Sequence, residues 1–245
     1  MDRVVVVGAA LAGLRACEAL RSQGFAGTIT LIGAERHLPY DRPPLSKKVL
    51  TGEWEPDRIG LRKPTELDGL GLDVRLGCRA TALDTDARSV GTDNGEIAYD
   101  GLVIATEAAV RHLPDQPDLA GVHELRTLDD SLALRAALQP GRRVTVIGAG
   151  FIGLEVAAAA RQRGCDVTVL EGAAAPLMRG LGAEMGSAVA AVHGRHGVEV
   201  RCGLMDCLRA ALAPKQLIWE SRLQPPAVRT ACRQRTLLRR LQTLD

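Results

Sequence analysis

Hydrophobic positions in the first part of the chain come as a short unbroken run rather than an alternating one. Arg3-Val4-Val5-Val6-Val7 places β-branched side chains on both faces of an extended segment. That pattern suits a parallel strand covered on both sides. Gly8-Ala9-Ala10-Leu11-Ala12-Gly13 follows at once, and LRACEALRSQG then predicts a helix closed by Gly24. A second strand is predicted over residues 28–32, ending at Gly33-Ala34-Glu35. The same order recurs further on. Arg143-Val144-Thr145-Val146-Ile147 leads into Gly148-Ala149-Gly150-Phe151-Ile152-Gly153, a helical LEVAAAARQRG, a strand over 166–170, and Glu171.

Between these two patterns, residues 72–77 and 101–106 read as strands, with weaker strand character over 81–98. Asp93-Asn94-Gly95 is a turn able to close a hairpin in that stretch. Pro43 and Pro44 predict extended backbone, not helix, before Leu45. Pro140-Gly141 marks the break before the second unit, whose third strand is expected near 198–202. The expected fold class is α/β with two Rossmann-like dinucleotide-binding units.

The glycine turns supply the candidate chemistry. A strand, a glycine-rich turn and a helix N-terminus together offer free N–H groups and a favourable dipole to a pyrophosphate. An acid at the end of the next strand accepts hydrogen bonds from ribose hydroxyls. One such turn is weak support for a binding site; two in one chain, each with strand, helix, strand and terminal acid, are much harder to produce by chance. In the first turn Ala10 stands where G-x-G-x-x-G has its middle glycine, and its Cβ is expected to point toward the pyrophosphate and weaken binding. The second turn keeps all three glycines, Gly148, Gly150 and Gly153. Glu171 favours the 2′-hydroxyl of NADH over a 2′-phosphate, and no arginine follows it immediately.

Composition narrows the class. Of 245 residues, 46% are hydrophobic, only 2% are aromatic and 26 are glycine, which suits sheets and helices packed with small aliphatic side chains rather than a collagen-like or disordered chain. No apolar run approaches the ~18 residues that span a bilayer, and the N-terminal segment lacks a signal-peptide pattern, so a soluble cytoplasmic protein is expected. Six scattered cysteines form no metal-ligand spacing, so no metal site is expected and free thiols in a reducing compartment are.

PYDRPPLSK, VIATEA, LRTLDD and GAGFIGLEVAA together resemble the FAD-dependent ferredoxin and rubredoxin reductases, in that family's order and spacing, over roughly residues 4–203. The resemblance implies that residues 1–115 form an incomplete FAD-binding domain and 116–203 an incomplete NADH-binding domain. It implies FAD contacts at Ala12, Glu35 (or Ala34), Lys47, Ala80 and Arg126, besides Gly8 and Gly13 of the turn. NADH contacts are implied at Gly148, Gly150, Ile152, Gly153 and Glu171. Lys47 and Glu155 are implied to pair beside the flavin N5, where hydride arrives; taken alone, Lys47 reads as a solvated lysine and Glu155 as an acid in a helix's first turn. The implied acceptor is a ferredoxin- or rubredoxin-like protein. Disulfide reductases of related fold carry a cysteine pair next to the flavin, and here no cysteine lies between Cys17 and Cys78.

Three departures from the family pattern bear on activity. The chain is shorter than the family pattern, so absence of the strand with a GD motif and of the C-terminal domain is expected, a truncated remnant retaining at most dinucleotide binding is the alternative expectation, and exposed sheet edges are anticipated. From Leu204 onward eight basic residues face three acids, whereas the preceding residues hold 23 basic and 26 acidic ones. The segment 204–245 is accordingly expected to be an unmatched tail of foreign or frame-shifted origin. A basic helix with Val228, Leu238 and Leu241 on one stripe is its functional alternative, with nucleic acid an unlikely partner. Finally, Glu107 stands where the family has glycine. A carboxylate there, ~5 Å from a pyrophosphate charge, is expected to cost roughly 3 kcal/mol of affinity.

Overall fold

The computed structural model describes residues 1–110, 112 and 120–204. Its contacts divide the chain into two units. The first takes Met1–Val110 and Glu124–Arg135, and the second holds the other described residues.

In the first unit, β1 (Arg3–Val7) runs into α1 (Leu11–Ser22) and returns through β2 (Thr28–Gly33). Gly24 takes a left-handed φ of 81° and its N–H caps Arg21 O, ending the helix where the sequence predicts. Two short helices follow, α2 (Lys48–Thr51) and α3 (Pro64–Asp68), and then β3 (Leu72–Leu76). Next come β4 (Ala80–Asp84), β5 (Ser89–Thr92), β6 (Gly95–Ala98) and β7 (Gly101–Ile104). β3, β2, β1 and β7 form a parallel sheet in that order, and β4, β5 and β6 form an antiparallel one. Thr92 pairs with Gly95, so Asp93 and Asn94 are the two loop residues of the expected hairpin.

The unbroken valine run follows from this layering. Val4 and Val6 pack with Cys17 of α1 and with Ile29 and Leu31. Val5 and Val7 face the other way, against Cys78 and, from the antiparallel sheet, Val90 and Ile97. Both faces of β1 are covered, and each valine so buried contributes about 1.5–3 kcal/mol relative to exposure.

The proline segment departs from expectation. Pro43–Ser46 is a 3-10 turn, and Arg42 before it is helical at φ −83° and ψ −35°. Proline suits the first positions of a helical turn, because its fixed φ is already helical and its missing N–H would have had no partner there. The steric bias against helical backbone before proline is overcome at Arg42 by the contacts of its guanidinium, described below. The turn buries Leu45, which joins Tyr40, Val49, Ile59 and Leu128 in a separate core cluster.

The chain leaves the first unit within α4 (Leu128–Ala137). Thr127 and Asp130 cap this helix reciprocally: Asp130 N–H donates to Thr127 Oγ1, and Thr127 N–H to Asp130 Oδ2. In the second unit β8 (Arg143–Ile147), α5 (Phe151–Gln162), β9 (Asp166–Leu170), α6 (Met178–Arg195) and β10 (Val198–Arg201) give a parallel sheet ordered β10-β9-β8. α6, kinked at Gly182, has no counterpart in the expected elements. Alanines of α5 allow close packing on the sheet, burying Ala157, Ala160, Val167 and Val169. Among the described residues, no strand pairs with the outer edges of β7 and β8. Ile104 and Ile147 at their ends are exposed.

Candidate functional site: two glycine turns at the carboxyl ends of parallel strands

Both turns are pinned in the same way. Gly8 N–H donates to Ile32 O at 2.8 Å, and Gly148 N–H donates to Leu170 O at 2.8 Å. Each turn therefore hangs on the neighbouring parallel strand. Gly8 has φ 120°, and a Cβ there would lie 2.0 Å from Ala105 O, so the turn also rests directly on the chain leaving β7. The last glycine of each turn is where helix meets strand: a Cβ on Gly13 would lie 1.9 Å from Gly8 O, and one on Gly153 2.1 Å from Gly148 O. Only glycine fits at these positions without backbone movement.

Neither α1 nor α5 has a side-chain cap. The N–H groups of their first turns, which lack intrahelical acceptors, are left for an anion. At Gly148 and Gly150 an added Cβ would meet nothing within 4 Å, which leaves room for a ligand against the backbone. Ala10 is extended at φ −124°, without strain, and only 7% exposed. Its environment therefore differs from that of exposed Gly150. The second turn has open space for a dinucleotide's phosphates, and the first offers the uncapped N–H groups of α1.

The terminal acids are used differently in the two units. Glu171 accepts from Ala149 N–H at 2.6 Å and from Ala173 N–H at 2.8 Å, which ties the acid to the turn itself. One bond to each oxygen leaves further lone pairs for ribose hydroxyls. Glu35 instead accepts from the Tyr40 hydroxyl at 2.5 Å and from Arg42 Nη2 at 2.8 Å. Neighbouring Ala34 is exposed and Glu35 half-buried.

Arg42 centres a cluster that the sequence reading does not contain. Its Nη1 donates to Arg126 O at 2.8 Å and to Tyr40 Oη at 3.1 Å, and its Nε lies 2.8 Å from Glu107 Oε2. Arg126 Nη2 reaches the same Glu107 oxygen at 2.5 Å. Although close to Glu107, the buried Arg42 Nε makes no hydrogen bond of acceptable geometry. Burial works to lower the pKa of Arg42, but bonding to Glu35, with the charges of Tyr40, Glu35 and Glu107, leaves it raised. Burial, reinforced by the bond to Glu35, pushes the Tyr40 hydroxyl above its ordinary value. Glu107 is therefore not an isolated carboxylate beside the turn. Two guanidiniums neutralise it, so the simple repulsion expected of it omits the partners that hold it. One available signal was the arginine directly before a proline pair, with a tyrosine two residues earlier.

The other expected positions are placed as follows. Ala12 is exposed in the first turn of α1. Lys47, also exposed, joins the 3-10 turn to α2, and its Nζ donates to Pro43 O at 3.2 Å. Ala80 opens β4 and packs against the cluster of Val5, Val7 and Ile32. Ile152 is exposed at the start of α5. Glu155 lies past the first turn of α5, which holds no acid, so its first-turn reading is corrected. Among the described residues no group of three or more His, Cys, Asp or Glu could hold a metal. Cys17, Cys78, Cys165 and Cys202 are free thiols, and burial raises Cys17 to about 11. Cys207, Cys232 and the Val228, Leu238, Leu241 stripe lie outside the described residues, as does all of the 204–245 tail but Leu204. A hollow of about 430 Å³ beside α1 and α3 lies apart from the turn; Arg15 and Arg62 on its wall both pair with Glu18. No described helix is long and apolar enough to cross a membrane.

The sequence profile of the family described as Pyridine nucleotide-disulphide oxidoreductase matches residues 2–205. The chain is 46% identical over 214 residues to the ferredoxin--NAD(+) reductase component of the anthranilate 1,2-dioxygenase system of Burkholderia cepacia, covering 86% of this chain and 52% of that protein. The ferredoxin reductase for the CYP199A2 system of Rhodopseudomonas palustris superposes with a TM-score of 0.78 at 37% identity, over 83% of this chain and 50% of that one. A chain of the covalent putidaredoxin reductase–putidaredoxin complex gives a TM-score of 0.77 at 35% identity, over 82% of this chain and 50% of that one. The chain spans about half the length of the curated relatives it matches. The chain belongs to the pyridine nucleotide-disulphide oxidoreductase family, whose ferredoxin reductases it resembles along most of its length.

Proposed function

We propose that this chain carries the dinucleotide-binding part of an NADH-dependent, FAD-containing ferredoxin reductase. In this reading residues 1–115, joined by Arg126 of the first unit, hold FAD and the rest of residues 116–203 hold NADH, within a reducing, cytoplasmic setting. The observation that carries it is the pair of equivalent uncapped helix N-termini, each opened by a glycine turn hung on a parallel strand.

The residues divide the work by their chemistry. The backbone of Gly8 to Gly13 receives the FAD diphosphate, with Ala12 in the first helical turn, Glu35 directed at ribose, and Ala80 and Arg126 completing the surround. Gly148, Gly150 and Gly153 receive the NADH diphosphate, Ile152 offers an apolar contact, and Glu171 accepts from the ribose. Lys47 supplies positive charge where negative charge develops on bound flavin, and Glu155 is the acid that the second unit contributes to the site residues. Bound flavin supplies the conversion between a hydride donor and a one-electron acceptor. The acceptor is a ferredoxin- or rubredoxin-like protein.

The test is reconstitution. Purified chain incubated with FAD and desalted is expected to retain a flavin spectrum that NADH bleaches under anaerobic conditions. Reduced protein is then expected to pass electrons to a ferredoxin. A chain that retains no flavin but still binds NADH overturns the reductase reading and leaves a nucleotide-binding remnant.

A further inference from the structure

We propose that Glu107 is an internal competitor for the cofactor diphosphate, so that FAD binds at the first turn only by displacing a carboxylate from Arg42 and Arg126. The inference deepens the reading that the first turn takes FAD, and rests on it.

The backbone supplies the placement. Gly8 sits against Ala105 and Thr106, so Glu107 is the next residue along the chain from the one that touches the turn. It is held at φ 61°, a left-handed conformation that a side-chain-bearing residue adopts at a cost. A residue so strained persists when surrounding contacts hold it. Those contacts are the two ion pairs, Arg42 Nε at 2.8 Å and Arg126 Nη2 at 2.5 Å, both to Glu107 Oε2.

Charge supplies the rest. Arg42 and Arg126 carry two positive charges, and Glu35 and Glu107 two negative ones, so the cluster beside the turn is neutral as it stands. Removing the Glu107 charge leaves it net positive, toward a ligand that carries two negative charges on its diphosphate. Arg42 Nε, buried and without a well-directed acceptor, is a donor that Glu107 holds by charge but does not satisfy. A phosphate oxygen, with freer geometry, suits that donor better. Two states follow: without cofactor, Glu107 neutralises the guanidiniums; with cofactor, the diphosphate replaces it and Glu107 turns away.

The experiment is FAD titration of the full chain by flavin fluorescence, beside thermal unfolding without FAD, for the unaltered protein, Glu107→Gln and Glu107→Gly. Glu107→Gln keeps the shape and removes the charge; Glu107→Gly also removes the strain. Both are expected to bind FAD roughly tenfold or more tightly than the unaltered protein, the gain shrinking as added salt screens the cluster. In the absence of FAD, Glu107→Gln is expected to melt at a lower temperature, because two guanidiniums then share one counterion. Equal FAD affinity in all three proteins overturns the competition while leaving the FAD reading intact. Absence of FAD binding in all three overturns that reading, and the inference with it.

Discussion

Tyr40 ties together the parts of the first unit that lie far apart in sequence. Its hydroxyl donates to Glu35 after β2 and accepts from Leu128 N–H at the start of α4, the latter at 2.9 Å in a buried setting. Tyr40→Phe removes these two bonds and the one from Arg42 Nη1, and leaves a buried N–H without an acceptor, so it is expected to cost about 1–3 kcal/mol in chemical denaturation. The pH dependence has a defined sign. The folded-state pKa of Tyr40 is raised by burial and then by Glu35, so its contribution is complete below the ordinary tyrosine value of 10.0. That contribution is lost as pH rises from there through the folded-state value. Tyr40→Phe is therefore expected to lower stability at pH 7 and to narrow its deficit against the unaltered protein in strongly alkaline solution. A deficit that stays constant across the alkaline range would show that the lost packing, and not the titrating hydroxyl, sets the difference.

At the scale of elements, the two glycine turns separate binding from folding within a single motif. Gly153 is excluded from change by geometry, since an added Cβ lies 2.1 Å from Gly148 O and α5 must shift off β8 to admit it. Gly153→Ala is expected to destabilise the second unit by about 1–3 kcal/mol, read as a lowered melting temperature. Gly150 is free of that constraint: its φ of −77° is open to any residue, and an added Cβ meets empty space. Gly150→Ala is expected to leave melting within about 0.5 kcal/mol of the unaltered protein. NADH affinity should nevertheless fall roughly tenfold, because the methyl fills the space where the phosphates approach. Loss of stability in Gly150→Ala equal to that in Gly153→Ala would contradict this separation. The same contrast shows what the sequence could convey. Turn, helix and strand were legible because glycine spacing, an unbroken valine run and Gly24 are local signals that the fold does not override. Pro43-Pro44 misled because the same dipeptide suits an extended segment and the start of a 3-10 turn, and the deciding contacts of Arg42 come from Glu35, Glu107 and Arg126, up to 84 residues away. The Glu107 cluster was illegible for the same reason: a missing glycine is visible in sequence, whereas the partners of the residue replacing it are not.

For the whole molecule, the proposed reading gives each dinucleotide its own one of the two units to stabilise. A ligand present at about 100 times its Kd stabilises the native state by about 2.7 kcal/mol, which corresponds to a roughly hundredfold slowing of amide exchange through the openings it suppresses. Hydrogen exchange with each ligand in turn can therefore assign the turns directly. FAD is expected to protect the amides of residues 8–14 and the adjoining strand β2. NADH is expected to protect residues 148–154 and β9, whose Leu170 carbonyl holds the second turn. Because Glu171 is bonded to Ala149 N–H, protection by NADH should extend to that amide and to Ala173, while NADPH at the same concentration protects both less. NADH protecting residues 8–14 instead would exchange the roles of the two units. Equal protection of both turns by either ligand would show that the turns do not discriminate, leaving the difference between Glu35, held by Tyr40 and Arg42, and Glu171, held by the turn itself, without consequence for binding.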